Sequence, residues 1–199
     1  MKKNDYQWIS QQSKQMISGL RDWSDINSGT NNLLGLRRMI RLLRNAWHPL
    51  GETVIVPLTP YSTMDAKGQW QDQKVGQALL VRQRPELKKR LFLGGHMDTV
   101  FSSEHSFQSC LPIRGGRLRG PGVADMKGGL MAMLKGVEAF ERRAESSKIG
   151  WDVLIVPDEE VGSLSSSKLL PDLAEKASYG LLYEPAPVEG TFTTERKGS

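Results

Sequence analysis

The stretch Leu91-Phe92-Leu93-Gly94-Gly95-His96-Met97-Asp98-Thr99 carries an apolar run into a histidine and an aspartate two positions apart. In a strand, residues i and i+2 face the same way. Extended geometry through Met97 therefore puts the imidazole of His96 and the carboxylate of Asp98 on one face. There one group can bind a metal while the other orients it. A buried histidine paired with a carboxylate is also a common structural feature, so a metal reading needs partners elsewhere in the chain.

Working outward, the period of apolar residues alternates between helix and strand. Trp8, Ile9, Met16, Leu20 and Trp23 fit one amphipathic helix over 6–23. The turn-rich Asn27-Ser28-Gly29-Thr30-Asn31 precedes Leu33, Leu36, Ile40, Leu43 and Trp47, a second helix stopping near His48-Pro49 and Gly51. His48 reads as a helix-end residue. Strand-like runs follow at Thr53–Leu58, Gln77–Val81 and Leu91–Leu93, with a polar hairpin-type connection over Asp65–Lys74. His105 sits in a polar, exposed loop, and Arg114-Gly115-Gly116-Arg117 marks a tight turn. Leu130–Phe140 is a strongly apolar helix whose methionines fill core. Trp151–Val156 is an apolar run of the kind buried on both faces, and it enters Pro157-Asp158-Glu159-Glu160. A helix over Ser165–Lys176, interrupted or begun by Pro171, leads to a strand at Tyr179–Tyr183, and residues 190–198 alternate like one more. Helices alternating with buried strands predict a single α/β domain, a sandwich with a mostly parallel sheet.

Bulk properties narrow the chemistry. The chain has 199 residues, 38% hydrophobic and 25% charged, which is ordinary globular composition. Its net charge of +5 is scattered over Arg37, Arg38, Arg41 and Arg44, Lys88–Arg90, and Arg114, Arg117 and Arg119. No nucleic-acid module accompanies these charges, so they read as solvated faces. The lone Cys110 excludes an internal disulfide and a thiolate-rich metal site. No secretory h-region or membrane-spanning apolar stretch is present, so the expected setting is soluble and cytoplasmic, without membrane or nucleic-acid partners.

His96, Glu159 with Glu160, and Glu184 each fall directly after an apolar strand, and Asp125 sits at a glycine-rich turn before a helix. In an open α/β sheet, functional groups gather beyond the carboxyl ends of the strands. Several ionised carboxylates in one place repel. A pair of divalent cations compensates them better than Lys127 alone, because a carboxylate such as Asp125 can bridge two metals. Nitrogen and oxygen ligands favour zinc, with manganese and cobalt as alternatives. If the backbone is extended, Glu159 and Glu160 point apart, which suits Glu160 as a ligand and Glu159 as a free base. An isolated Asp-Glu-Glu would read as an exposed acidic strand end.

Together His96-Met97-Asp98-Thr99-Val100, Gly120 through Gly129 (GPGVADMKGG), Asp158-Glu159-Glu160-Val161-Gly162-Ser163 and Tyr183-Glu184-Pro185-Ala186 resemble the M20 metallopeptidases. This family of co-catalytic zinc hydrolases includes glutamate carboxypeptidases, aminoacylases, dipeptidases and deacylases. Asn27 through Asn31 resembles its N-terminal helix junction. The resemblance implies a three-layer, zinc-peptidase-like sandwich and two zinc ions. His96 and Glu184 would hold one ion, Glu160 the other, and Asp125 would bridge them. Asp98 would orient His96, and Glu159 would be the general base. A non-proline cis peptide after Asp125 is implied as well, and Glu184 is similar to the glutamate carboxypeptidase branch.

Family members resemble a catalytic domain interrupted by a lid or dimerisation domain, and Glu195-Arg196-Lys197-Gly198 looks like the junction that enters it. By this reading residues 1–199 are the N-terminal portion of the catalytic domain. The lid, the returning catalytic segment and the last histidine ligand of the second zinc would then lie outside the chain. The expected function is hydrolysis of an amide bond in a small peptide or N-acyl amino acid, such as one with a C-terminal glutamate, by an intact protein that can form a homodimer. N-acyl amino acid deacylase and dipeptidase are alternatives within the family. A different class of function, a non-catalytic metal-binding or partner-binding fragment, stands beside them for this chain alone.

Overall fold

The computed structural model describes residues 3–186, 191, 193 and 194. The expected N-terminal helix is two: α1 (Lys3–Gln11) and α2 (Ser13–Ser24), broken at Gln12. Helix α3 (Leu33–Trp47) starts where its N-cap predicts, since the Asn32 side chain accepts a hydrogen bond from the Gly35 N–H at 3.0 Å. His48 sits at the C-cap. Strand β1 (Glu52–Val56) is followed by a separate hairpin, β2 (Tyr61–Met64) and β3 (Trp70–Gln73), within and just before the polar stretch expected as a hairpin-type connection. Then come β4 (Ala78–Gln83) and β5 (Arg90–His96).

A second small hairpin, β6 (Leu111–Ile113) and β7 (Arg117–Arg119), turns on Gly115 and Gly116. Their φ values of 79° and 69° lie in the left-handed region that favours glycine. Helix α4 (Lys127–Glu141) leads to β8 (Gly150–Val156), buried along its whole length as its apolar run predicts. A short helical turn, Ser166–Leu169, runs into α5 (Leu170–Glu175), and Pro171 occupies the first turn of α5, where its missing N–H costs nothing. Strand β9 (Tyr179–Leu182) completes the set. The strand expected over 190–198 and the junction at 195–198 fall outside the described residues, save Thr191, Thr193 and Thr194.

The main sheet has the order β1-β4-β8-β5-β9. Strand β4 is antiparallel to both neighbours, while β8, β5 and β9 pair in parallel, so four of the five strands run one way. The short β1–β4 connection, carrying only a hairpin, is what reverses β4; a parallel pair needs a crossover. Leu79, Val81, Leu93, Trp151, Val153 and Ile155 face a core shared with Trp23, the α3 residues Leu36, Met39, Ile40 and Leu43, and the apolar side of α4. Ala78, Phe92, Leu154 and Val156 pack with Leu173 of α5 on the other face. The result is three layers, as expected. No helix among the described residues is long and apolar enough to cross a membrane.

At the amino ends of β5 and β8 the sheet is tied by buried ion pairs. Arg90 donates to Asp152 at 2.6 Å, and Glu141 receives both Arg84 and the Trp151 indole, the latter at 2.7 Å. Partial burial pushes the Glu141 carboxyl up, but the Arg84 and Trp151 hydrogen bonds outweigh it and hold the pKa below its usual 4.5. A lowered folded pKa stabilises above the unfolded value, and that stabilisation is lost as pH falls through the folded value. Glu141→Gln should therefore lower stability by about 1 kcal/mol near neutral pH, allowing for solvent screening. Urea unfolding midpoints of variant and parent should converge on acidification below the usual carboxylate range; an undiminished gap there would contradict the linkage.

Candidate active site

The three parallel strands deliver the site. His96 ends β5 opposite Val156 at the end of β8, and Gly94 pairs with Leu182 at the end of β9. The pairing runs one residue further, with Met97 N–H donating to Val156 O at 2.8 Å, which keeps the chain extended toward Asp98. His96 and Asp98 consequently share a face. The His96 Nδ1 lies 3.0 Å from the Asp98 carbonyl oxygen and 3.3 Å from its Oδ1, and both side chains are fully buried. Nε2 is thereby aimed outward, 3.0 Å from Asp125 Oδ1 and 3.7 Å from both Glu159 Oε2 and Glu184 Oε1.

Asp98 does more than orient the imidazole. Its carboxylate accepts from the Thr30 hydroxyl at 2.8 Å and from the backbone N–H groups of Glu159 and Glu160, each at 3.2 Å. Three segments distant in sequence thus meet on one buried carboxylate. Glu159 and Glu160 lie on a one-turn 3-10 helix, Glu159–Val161, rather than on extended chain. Glu160 joins His96 and Asp125 in a group whose ligand atoms all lie within 4.8 Å of one another, and Glu159 Oε2 lies 3.7 Å from His96 Nε2. Asp158 is turned inward, accepting from the N–H groups of Ser165 and Ser166 at 2.8 and 3.1 Å.

The glycine-rich turn brings in Asp125 through a cis Asp125–Met126 peptide. Helix α4 then passes so close to the end of β9 that a Cβ on Gly129 would sit 2.0 Å from the Tyr183 carbonyl oxygen. Only glycine lets Asp125 and Glu184 approach the same point. Lys127 does not face the carboxylates. Its ammonium is buried and donates to the carbonyl oxygens of Trp23 at 3.1 Å and Ile26 at 2.8 Å, beyond the end of α2. Burial pushes its pKa down to about 8, only partly opposed by Asp25.

Five carboxylates therefore surround one imidazole. Burial would depress the His96 pKa, but hydrogen bonds and charge from Asp98 and Glu184 take it up to about 11. Partial burial raises both Glu159 and Glu160, with His96 opposing and neighbouring carboxylates reinforcing. One nitrogen and several oxygen donors at this spacing suit a divalent cation. His48 and His105 stay away. His105 is exposed in its loop, with its ring 5.1 Å from that of Phe101 and its Nδ1 accepting from Phe107 N–H. Thr30, to which sequence reasoning assigned no role, is the additional residue here; its only signal was membership of the turn-rich run before α3.

Fold and donor set together define an α/β protein with a candidate divalent-metal centre at its strand ends. The chain belongs to peptidase family M20/M25/M40, whose model matches residues 92–195. It is 26% identical over 180 residues to carboxypeptidase G2 of Pseudomonas sp. (strain RS-16), covering 90% of this chain and 41% of that protein. Over 100 residues it is 32% identical to succinyl-diaminopimelate desuccinylase of Ruthia magnifica subsp. Calyptogena magnifica, 46% of this chain and 27% of the relative. The fold matches that of human carnosine dipeptidase 1 with a TM-score of 0.71 at 18% identity, covering 89% of this chain and 40% of that one. The chain thus spans about two fifths of the length of carboxypeptidase G2.

Asp98→Ala should weaken divalent-metal binding by about 10- to 100-fold, because it frees the imidazole and releases the Glu159–Glu160 turn. It should also cost about 3 kcal/mol in folding by orphaning buried donors. Thr30→Val should produce a smaller effect in the same direction. Equilibrium dialysis with zinc alongside urea unfolding separates the two losses, and full metal affinity in Asp98→Ala would refute the anchoring role.

Proposed function

We propose that this chain supplies the N-terminal portion, residues 1–199, of the catalytic domain of a dinuclear zinc amide hydrolase of carboxypeptidase type. The observation that carries the reading is the convergence of His96, Asp125 and Glu160 ligand atoms within 4.8 Å, with the half-exposed Glu159 carboxylate 3.7 Å from His96 Nε2. His96 and Glu184 would hold one ion and Glu160 the other, with Asp125 between them. Bound divalent ions would supply Lewis-acid polarisation of a carbonyl and acidify water.

The chain's own residues do the rest. Asp98 holds the imidazole so that Nε2 faces the carboxylates. Glu159, about half exposed at its side chain, can reach water, and its raised pKa makes it a better proton acceptor than an ordinary carboxylate. It takes the proton from the attacking water and passes it to the leaving amine nitrogen as the amide C–N bond breaks. The resemblance to carboxypeptidase G2 supports a peptide cut at its C-terminal residue, and that to the desuccinylase supports an N-acyl amino acid; Glu184, similar to the glutamate carboxypeptidase branch, favours glutamate.

Glu159→Gln in the full-length protein should abolish turnover, a loss of about 100-fold or more, while bound zinc stays near the parent level. Hydrolysis of a C-terminal glutamate peptide and of an N-succinyl amino acid, read with metal content by mass spectrometry, tests this. Unchanged turnover would remove Glu159 from the mechanism.

A further inference from the structure

The sheet positions His96, Glu159, Glu160 and Glu184, which stand beyond the ends of β5, β8 and β9. Asp125 belongs to no strand. It sits in the turn between β7 and α4, yet its Oδ1 lies 3.0 Å from His96 Nε2. Something besides the strand ladder has to hold that turn in place. Met126 seats it on β5, where its sulfur accepts the His96 N–H at 3.0 Å. Its flanks are held from another direction, by the end of α2.

Lys127 makes the main tie. It is fully buried, and its ammonium donates to the carbonyl oxygens of Trp23 at 3.1 Å and Ile26 at 2.8 Å. A buried ammonium is costly unless its donors are used. The Lys127 backbone N–H donates to Gly122 O at 2.7 Å, closing the turn that contains Asp125. The lysine stem passes Gly122, where φ is 70° and a Cβ would sit 3.0 Å from Lys127 Cδ. Before the aspartate, Ser24 Oγ donates to Pro121 O at 2.8 Å. The Asp125 turn is therefore fastened on both sides of the aspartate to one corner, residues 23–26.

That corner runs straight into the anchor of the imidazole. Ser28 O accepts the Thr99 N–H at 3.0 Å, and the Thr30 hydroxyl donates to Asp98 at 2.8 Å. One short segment, 23–30, thus touches the Asp125 turn at its start and the Asp98–His96 pair at its end. It links a donor that the sheet does not place to donors that it does.

We propose that Lys127 is a positioning residue for the metal pair: by clamping the turn to the corner at Trp23 and Ile26, it sets the reach of Asp125 toward His96 and Glu160. The proposal rests on the reading of the cluster as a dinuclear hydrolase centre with Asp125 between the ions. Lys127 acts without touching substrate or metal.

The test uses the full-length protein. Lys127→Met keeps an unbranched stem and removes the donors. It should weaken zinc binding by about tenfold or more in equilibrium dialysis. It should also lower kcat by about tenfold or more, while KM for the same amide stays within about twofold. Loaded with manganese, the parent should give the exchange-coupled EPR spectrum of two carboxylate-bridged ions, and Lys127→Met that of separate ions. Lys135→Met is the comparison for stability alone, because Lys135 is also buried on α4 and its ammonium is committed to Glu138 at 2.7 Å. It should lower Tm and leave zinc affinity, coupling and kcat at parent values. Ser24→Ala removes one hydrogen bond of the same clamp and should weaken zinc binding about threefold. If Lys127→Met does not fold, that measurement decides for or against the clamp.

Parent zinc affinity, coupling and kcat in Lys127→Met, or equal losses in Lys135→Met, overturn the positioning role and leave the hydrolase reading standing. Coupled ions in the parent, separate ions in Lys127→Met and no hydrolysis of any amide support the clamp and overturn the hydrolase reading. A parent that takes up no divalent ion overturns both.

Discussion

The carboxylate of Asp98 is the constraint on which the site depends. A fully buried carboxylate without partners would be far too costly to keep. It survives because His96, Thr30 and the backbone of Glu159 and Glu160 all converge on it. The dependence runs in both directions. Those groups satisfy the charge, and the charge draws together the loop before α3, the end of β5 and the turn after β8. Backbone pairing reinforces the same junction, since Thr99 N–H donates to Ser28 O and Thr30 N–H to Thr99 O, at 3.0 and 3.2 Å.

Given that anchor, the surplus of negative charge follows from topology. Parallel strands end on the same side, so residues that follow β5, β8 and β9 share one rim. His96, Glu159, Glu160 and Glu184 arrive by that route, and Asp125 arrives from the start of α4. Lys127 is spent elsewhere, holding the carbonyls of Trp23 and Ile26. The elevation of the His96 pKa to about 11 against its burial expresses the same imbalance. A rim of this kind attracts a cation, and the ligand atoms of His96, Asp125 and Glu160 lie within 4.8 Å of one another, close enough to share one.

Much of this was legible in the residue order. The turn-rich run before α3, the helix stop at His48, the buried run of β8 and the Gly115-Gly116 turn are local signals, each set by residues within a few positions; the cap itself falls on Asn32, one residue past the run read for it. The strand-end placement of His96, Glu159, Glu160 and Glu184 could be read because apolar runs stop abruptly before them. What could not be read depends on distant partners. Thr30 reaches Asp98 across 68 positions and Lys127 reaches Trp23 across 104. No local pattern predicts either. The break at Gln12 and the strands β2 and β3 inside the hairpin-type connection went unread for another reason: helical spacing continues through Gln12, and a polar stretch without apolar alternation carries no strand period.

Burial divides the site into an inner and an outer tier, and the division matches the chemistry each has to do. His96 and Asp98 are sealed, whereas the side chains of Asp125, Glu159 and Glu184 are 56%, 49% and 42% exposed. The inner pair fixes direction, because a buried imidazole held at Nδ1 cannot rotate Nε2 away from the rim. In the proposed hydrolytic cycle the outer carboxylates would exchange partners, admitting water and substrate and handing on a proton, and contact with solvent would serve them. A variant that buried Glu159 would raise its pKa further while cutting off its water. One that exposed Asp98 would loosen the carboxylate on which Thr30, His96 and the Glu159–Glu160 turn converge. Thr99 adjoins the inner tier, next to Asp98, so the backbone pairing with residues 28–30 that seals the anchor also lines the space beside Glu160.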